Sequence, residues 1–448
     1  MTIEEAVAKR VAKAANWTKD TVRQSMEAAA EQGICADEYL RFSCWELSEN
    51  ELTELAALLE RVHVRQKQDE EWFLQIAHRR TLRSVASLRK EMDRFKALGI
   101  SPLYYTKKGF YFPKRAKKAE QEAVKHKNRS EKKSVYFKKI CERTGWSASR
   151  AEIEVTKAWL NCGANYEDFY RFKLHARSEQ EQKTYLTHGH YDKMTIYFNH
   201  YLTKKYLNTK SSFNRIYASH IKRRWFVNQK LSYSRFLKKI DGLEDILVKP
   251  VSATHGKGIQ KFHCNVEDKR ALYDAVMAFP KSVVEEYIVQ HQDIAAFCSA
   301  SVNTLRIVTL NAQGKCNFLF AVIRMGRGDI VDNVHSGGIA AAVDPKTGVV
   351  TSDALDADGN LHVVHPCSKL PIKGFQIPNW DAVLDLCQTC CRRIPGVNLI
   401  GWDIAITADG VELIEGNSAP SFVTIQATAL QDGKGLRADI FDPYLSEI

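Results

Sequence analysis

GWDIAITADGVELIEGNSAP (Gly401–Pro420) holds two apolar runs joined by Ala-Asp-Gly and closes on Glu-Gly-Asn. Runs of this kind around a glycine turn read as an antiparallel hairpin. Side chains two apart on a strand share a face, so Glu415 and Asn417 point together. Register decides whether Asp403 joins them. A two-residue Asp-Gly loop sets Asp403 opposite Gly416 and puts the acids on opposite faces. A three-residue loop Ala408-Asp409-Gly410, with Gly410 left-handed, pairs 407 with 411 and therefore Asp403 with Glu415. Glycine at the third loop position favours this second register. It gathers two carboxylates and an amide oxygen, hard donors suited to Mg²⁺. An idle surface hairpin fits less well, because Glu415 lies inside the apolar run VELIEGN, where an unpaired carboxylate is costly.

Upstream, ILVKPVSATHGKGIQKF (Ile246–Phe262) places Lys249 in an otherwise apolar strand ahead of a glycine loop. The lysine supplies charge from a rigid element, and Gly256 and Gly258 let backbone N–H groups approach anionic oxygens. Alone this is a common hairpin pattern. VVEEYIV (Val283–Val289) is a strand with acids at 285 and 286 and exposed backbone beyond, a hinge able to read a flat ring edge. The other strand signals are TLRIVTL, FLFAVIRMG and GGIAAAVDP, bounded by NAQG, DPKTG and ADG, with helices at EDKRALYDAVMAF and NWDAVLDLCQTCCRRI. No regular strand–helix–strand alternation appears, so the region reads as α+β with antiparallel hairpins. No glycine turn has the GxGxxG spacing of a dinucleotide fold.

The chain of 448 residues is long enough for two to three domains. Its 44% hydrophobic content excludes wholesale disorder. The net charge of +12 is unevenly spread: residues 241–448 hold 17 Lys and Arg against 25 Asp and Glu, a balance of −8, which leaves +20 for residues 1–240. The basic residues are densest at Lys107–Lys133 and in KRRW (Lys222–Trp225), which read as an anion-attracting surface or a solvated helical linker. Acidic residues interrupt these runs and no nucleic-acid motif accompanies them, so nucleic acid is not an expected partner. The 11 cysteines are scattered, and the one close set, Cys387, Cys390 and Cys391, lacks the second pair or the histidines that would close a zinc site. No apolar run is long enough to span a membrane. The opening MTIEEAVAKRVAKAANW carries acids where a secretory signal would be basic, so a reducing, cytoplasmic setting is expected.

Residues 1–95 carry helical spacing. Leu52, Leu55, Leu58, Leu59 and Val62 share one face, Thr18 caps a helix that Gly33 ends, and residues 66–97 continue as a charged helix with Trp72, Ile76, Leu82 and Val85 inward. Asn16–Glu51 is echoed by Gly145–Glu181: Trp17 answers Trp146, Gly33 answers Gly163, and DEYLRF answers EDFYRF. Two copies of a helical hairpin explain the echo.

Taken in order, the lysine strand with its glycine loop, the acidic hinge, an arginine strand and the closing D…ExN strands resemble the ATP-grasp superfamily. SVNTLRIVTL, VDNVHSGGIAAAVDPKTG, YRFKL and FNRIYASHIKRRWFVNQKLSYSRF resemble its sugar-transfer-associated branch. The resemblance covers about residues 135–448. It implies two α+β subdomains clasping ATP, preceded by a helical N-terminal region. The implied layout is a helical accessory module at 1–105, a basic linker at 106–134, a helical and mixed lead-in at 135–240 and the ATP-grasp domain at 241–448.

The resemblance also implies roles for residues. Lys249 and the earlier Lys230 are expected on ATP phosphates, and Gly256, Lys257 and Gly258 in the loop that closes over them. Glu285, Glu286 and Ile288 are expected at the adenine hinge. For the ribose, QHQD offers Gln292 or Asp293. Asp403, Glu415 and Asn417 are expected to hold Mg²⁺. Arg306 and Arg324 are expected to face the transferred phosphate and an acyl phosphate, with Asn333, His335 and the Ser336–Gly338 turn on the substrate side. The activity implied is ATP-dependent ligation of a carboxylate to an amine or similar nucleophile, on a sugar-linked or peptide substrate. The alternatives are an ATP-grasp kinase acting on a hydroxyl and a module that binds anionic polymers through its basic half.

Overall fold

Helix caps set the frame of the N-terminal unit, and those of Thr18 and Ser48 recur in the duplicated segment. In the computed structural model the described residues are 5, 8–9, 11–13, 18–98, 100–112, 130–251, 258–328, 332, 334, 337–423, 426, 435–436 and 440–445. Thr18 caps the helix Lys19–Glu31, as Ser147 caps Ala148–Cys162. Gly33 and Gly163 follow with φ of +81° and +69°, the left-handed geometry glycine adopts at low cost. Short helices Ala36–Arg41 and Tyr166–Arg171 come next. Ser43 and Lys173 then turn the chain at φ 51° and 52°, and Ser48 and Ser178 each open a further helix with a capping box. The echo in sequence is therefore an echo in backbone geometry. Trp17 lies outside the described residues.

The chain divides into two compact units, Met1–Lys193 and Met194–Ile448. The expected boundaries at 134/135 and 240/241 do not coincide with this division. Both helical copies lie in the first unit and pack on each other. Ile153 of the second joins the buried cluster of Val22, Ile34 and Tyr39 from the first. Ser149 Oγ donates to Glu46 at 2.9 Å, and Lys157 pairs with Glu54 at 2.7 Å.

One helical expectation needs correction. The long helix Glu49–Thr81 stops before Leu82, which sits at φ 58° and is 84% exposed rather than inward. Ser84 accepts from the Ser87 N–H and starts a new helix, Val85–Ala97, whose Leu88, Met92 and Phe95 are buried. A serine placed to cap outweighs continued apolar spacing. Most of the basic stretch Lys107–Lys133 falls outside the described residues, and Lys107 pairs with Asp192. Among the described residues no helix is long and apolar enough to cross a membrane.

The second unit is built on two antiparallel sheets. In chain order its strands are β1 Trp225–Val227, β2 Asp245–Pro250, β3 Gln260–His263, β4 Ser282–Glu286, β5 Thr304–Ala312, β6 Lys315–Met325, β7 Ile339–Val343, β8 Ala354–Leu355, β9 Leu361–His362, β10 Leu399–Thr407 and β11 Gly410–Asn417. The smaller sheet runs β1-β4-β2-β3 and the larger β11-β10-β5-β6-β7-β8-β9. The α+β expectation and all six of its strand signals hold. The core lies on one face of the larger sheet, where Trp402, Ile404, Ile307, Ile323 and Ala341 meet Val383, Cys387 and Cys390 of the helix Trp380–Cys390. The three cysteines thus pack as apolar side chains. The segment after β4 crosses to the larger sheet, where Gln290 bridges Thr407 and the His291 N–H donates to the Ile406 carbonyl at 2.8 Å.

Candidate active site

The face of the larger sheet opposite this core carries charge. Strand alternation puts Arg306 between buried Leu305 and Ile307, and Asp403 between Trp402 and Ile404. Register then aligns them: Arg306 stands beside Asp403 across β5 and β10, and Arg324 beside Thr304 across β6 and β5. Asp403 accepts from Arg306 through both Nε and Nη2, the latter at 2.9 Å, and from Arg324 Nη2 at 2.9 Å. Burial acts to raise the Asp403 carboxyl, but the two guanidinium groups outweigh it and hold it down at about 2.

β11 completes the row, though not by the expected turn. Thr407 pairs with Gly410 around a two-residue turn, Ala408-Asp409, rather than with Val411 around three. The pairing then slips by one residue between Ile404–Leu413 and Asp403–Glu415, leaving Ile414 as a bulge. The result is the expected opposition of Asp403 and Glu415, reached by a different route. An unbroken ladder puts Val411, Leu413, Glu415 and Asn417 on one face. The bulge instead sends Leu413 into the core with Ile404 and turns Glu415 toward Asp403. Asn417 Nδ2 donates to Glu415 Oε1 at 3.3 Å.

The smaller sheet contributes a second charged group. Lys249 on β2 pairs with Glu285 on the adjacent β4 at 2.6 Å. Glu285 is 3% exposed and also accepts from Asn214 Nδ2 at 3.0 Å and Arg223 Nη2 at 3.1 Å. Burial acts to raise its carboxyl, but the charges of Arg223 and Lys249 hold it far below the usual carboxylate range. Arg223 belongs to KRRW, and here the surface reading is corrected in part: its guanidinium is buried, while its neighbours Lys222 and Arg224 are exposed, the latter beside Glu286.

The family model for sugar-transfer associated ATP-grasp proteins matches residues 192–440, more than half of the chain. The chain belongs to that family. No curated protein matches it. Among solved structures it is similar to L-amino acid ligase from Bacillus licheniformis at 13% identity and a TM-score of 0.32, covering 50% of this chain and 43% of that one. It is also similar to an ATP complex of carboxyaminoimidazole ribonucleotide synthase from Aspergillus clavatus, at 10% identity and a TM-score of 0.33, covering 49% and 47%. D-alanine–D-alanine ligase from Bacillus anthracis matches at 13% identity and a TM-score of 0.33, covering 56% and 70%. The chain spans about half the length of the first of these structures.

The donor set on this sheet face bears on whether a divalent cation such as Mg²⁺ fits. Among the described residues no group of three or more His, Cys, Asp or Glu is arranged to hold a metal. The set here is two carboxylates and the Asn417 amide. Burial, and then the facing Asp403, raise the Glu415 carboxyl above the usual range. Two opposed hard carboxylates, one of them under-compensated, are what a divalent cation relieves. The residues fit the ion.

The remaining expected residues are more dispersed. Glu285 is paired on both sides within its sheet, to Trp225 and Leu247. The N–H groups of Glu286 and Tyr287 donate to Arg224 and Asp245 carbonyls. Ile288 follows, half-buried. Gly258 closes the loop at φ +72°, and Gln292 is exposed at the start of a short helix. Lys230 lies in the exposed turn after β1 at φ 56°, and none of the contacts above includes it. Gly256, Lys257, Asn333, His335 and Ser336 lie outside the described residues.

Sequence reading missed Arg223, Asn214, Thr304 and Asp332. Asp332 accepts from the Thr304 N–H at 3.0 Å and from its hydroxyl, and lies 3.6 Å from Arg324 Nε. That contact ties the start of the VDNVHSGG stretch to the charged row. The one available signal for Arg223 was the pair of acids, Glu285 and Glu412, in apolar strands, which demand a buried cation.

Proposed function

We propose that this ATP-grasp protein is an Mg²⁺-dependent ligase that activates a substrate carboxylate with ATP and joins it to an amine or similar nucleophile, with ADP and phosphate released. The observation that carries this reading is the row Glu415, Asp403, Arg306, Arg324 across four adjacent strands. Acidic and cationic groups that share one sheet face suit a reaction in which a phosphoryl group moves between two anions.

In the proposed reaction a carboxylate oxygen attacks the γ-phosphorus, ADP leaves, and an acyl phosphate forms. The nucleophile then adds at the acyl carbon, loses its proton and expels phosphate. A bound Mg²⁺, held by Asp403, Glu415 and Asn417, would neutralise phosphate charge. The chain's own residues position and stabilise. Lys249, oriented by Glu285, offers its remaining N–H donors to phosphate oxygens. Arg306 and Arg324, preset by Asp403, hold donors where negative charge develops, and Asp332 braces Arg324. The family name favours a sugar-linked substrate.

Trapping tests the reading. With ATP, Mg²⁺ and a panel of amino acid, peptide and sugar-linked carboxylates, hydroxylamine should yield a hydroxamate and ADP in equal amounts. A stable phosphorylated hydroxyl with no hydroxamate would replace the ligase reading with a kinase one.

A further inference from the structure

Arg223 has no part in the chemistry just described, yet it touches both ends of the site. Its side chain is 3% exposed. Nη1 donates to Glu412 Oε1 at 2.7 Å and to the Leu413 carbonyl at 2.6 Å. Nη2 donates to Glu285 Oε1 at 3.1 Å and to the carbonyl of Ile414, the bulged residue, at 3.2 Å. The N–H groups of Lys222 and Arg223 also donate to Glu412, which fixes the backbone from which the fork extends.

Two acids and one cation, all buried, form a poor device for stability alone, since desolvation offsets most of the Coulomb gain. What a guanidinium adds is a planar fork with fixed donor directions. One prong holds Glu285, whose other oxygen holds Lys249 at 2.6 Å. The other prong holds β11 just before Glu415. A lysine in this place could satisfy one of these partners, and an apolar residue none.

We propose that Arg223 is a positioning residue, a buried fork that fixes the phosphate lysine Lys249 and the bulge bearing Glu415 in one geometry. The proposal rests on the Mg-ATP reading above. It requires Lys249 and Glu415 to be coupled energetically through a residue that contacts neither side chain.

The test is calorimetric binding of a non-hydrolysable ATP analogue with Mg²⁺ to the full-length protein. In the wild-type background, Lys249→Met and Glu415→Gln should be non-additive. In Arg223→Lys, which keeps the charge and loses the fork, the dissociation constant should rise roughly tenfold and the two changes should become additive. Glu412→Gln keeps Arg223 and weakens one anchor; it should shift both readouts the same way by a smaller factor, so the test stands even where Arg223→Lys does not fold. A role in stability alone would lower the melting temperature of the variants but leave affinity and non-additivity as in the wild type. That result overturns the positioning role while leaving the nucleotide reading intact. A wild-type protein that binds no Mg-analogue overturns the nucleotide reading and this inference with it.

Discussion

Asp403 and Glu415 stand opposite each other because Ile414 between Leu413 and Glu415 is left out of the ladder. The bulge lets one strand serve two masters: Leu413 fills the core, and two residues later a carboxylate faces the site. In a straight strand these side chains would share a face. The proposed ion site therefore depends on a backbone irregularity that Arg223 grips by its carbonyl.

This arrangement separates the roles of Arg306 and Glu415. Arg306→Ala leaves Asp403 with Arg324 as partner, so Mg-ATP affinity should stay within a few-fold. Formation of the acyl phosphate, read as trapped hydroxamate, should fall by about two to three decades, the typical loss for one preset donor. Arg306→Lys should recover only part of it, since lysine cannot form the two-point contact. Glu415→Gln should weaken Mg-ATP binding and turnover together. Loss of affinity as large as the loss of rate in Arg306→Ala would assign the arginine to binding instead.

Acid should destabilise the second unit through identified groups. Burial acts to raise Asp356, but the Asn360 N–H and side chain, with His362, hold it at about 2 against an ordinary 3.8. A lowered carboxyl contributes stability above its unfolded value and loses it as pH falls through the folded one. The window for Asp356 is thus from about 4 down to about 2, and Glu285, also held low, adds to the loss from 4.5 downward. Chemical unfolding followed across pH 5 to 2 should steepen in this range, and Asp356→Asn should flatten it.

His188 carries the opposite sign. Burial acts to lower it, but its bond to Asp168 at 2.8 Å and that residue's charge leave it above the ordinary 6.5. Its stabilising contribution is complete below 6.5 and disappears as pH rises through the raised value. Asp168→Asn should lower the His188 titration, because burial remains and only the smaller charge effects of Glu167 and Asp192 still oppose it. An NMR titration of the ring protons checks this, and an unchanged midpoint would refute it.

Gly348 should be among the least replaceable glycines of the second unit. Its φ is +76°, and an added Cβ would meet Trp380 Cγ at 2.5 Å. The indole cannot swing aside without losing its N–H bond to the Pro345 carbonyl. Gly348→Ala should cost about 2–4 kcal/mol, from overpacking together with left-handed strain. Gly359→Ala, at φ +91° with open space around it, isolates the backbone part and should cost about 1 kcal/mol. Comparison of the two melting curves checks the difference.

The two helical copies differ at one cap in a way that can be repaired. Asn165 Oδ1 accepts from the Asp168 N–H at 2.9 Å, whereas the matching position in the first copy is Cys35. The backbone there is already extended, at φ −76° and ψ 166°. Cys35→Asn should raise the stability of the N-terminal unit by about 0.5–1 kcal/mol, measurable by calorimetry.

Much of this was legible in the residues themselves. Short β-branched runs bounded by turn signals marked β2, β4, β5, β6, β7 and β10, because branched side chains favour extended backbone and glycine turns end it. Thr18 and Gly33 marked helix ends because capping and left-handed turns are local chemistry. The acids of GWDIAIT and VELIEGN stood out because a carboxylate among apolar residues needs a partner. Leu82 misled because apolar spacing does not register a serine cap two residues later. The strands β1, β3, β8 and β9 span only two to four residues, too few for a β-branched run to stand out.

What tertiary structure alone decided is the register and the partners. Local preference placed a three-residue turn at Ala408–Gly410. Packing chose two residues and a bulge, because only then can Val411 and Leu413 lie over Ile406 and Ile404 while Glu415 still meets Asp403. Composition counted Arg223 with a basic surface. Its burial between Glu285 and Glu412 joins residues 62 and 189 positions apart, and nothing within a few residues of Arg223 encodes either partner. Periodicity and capping are written locally, since their energies act over a turn of helix or a pair of side chains. The pairing of distant charges is settled only when the sheets close and water leaves, which is when each buried charge must meet its partner.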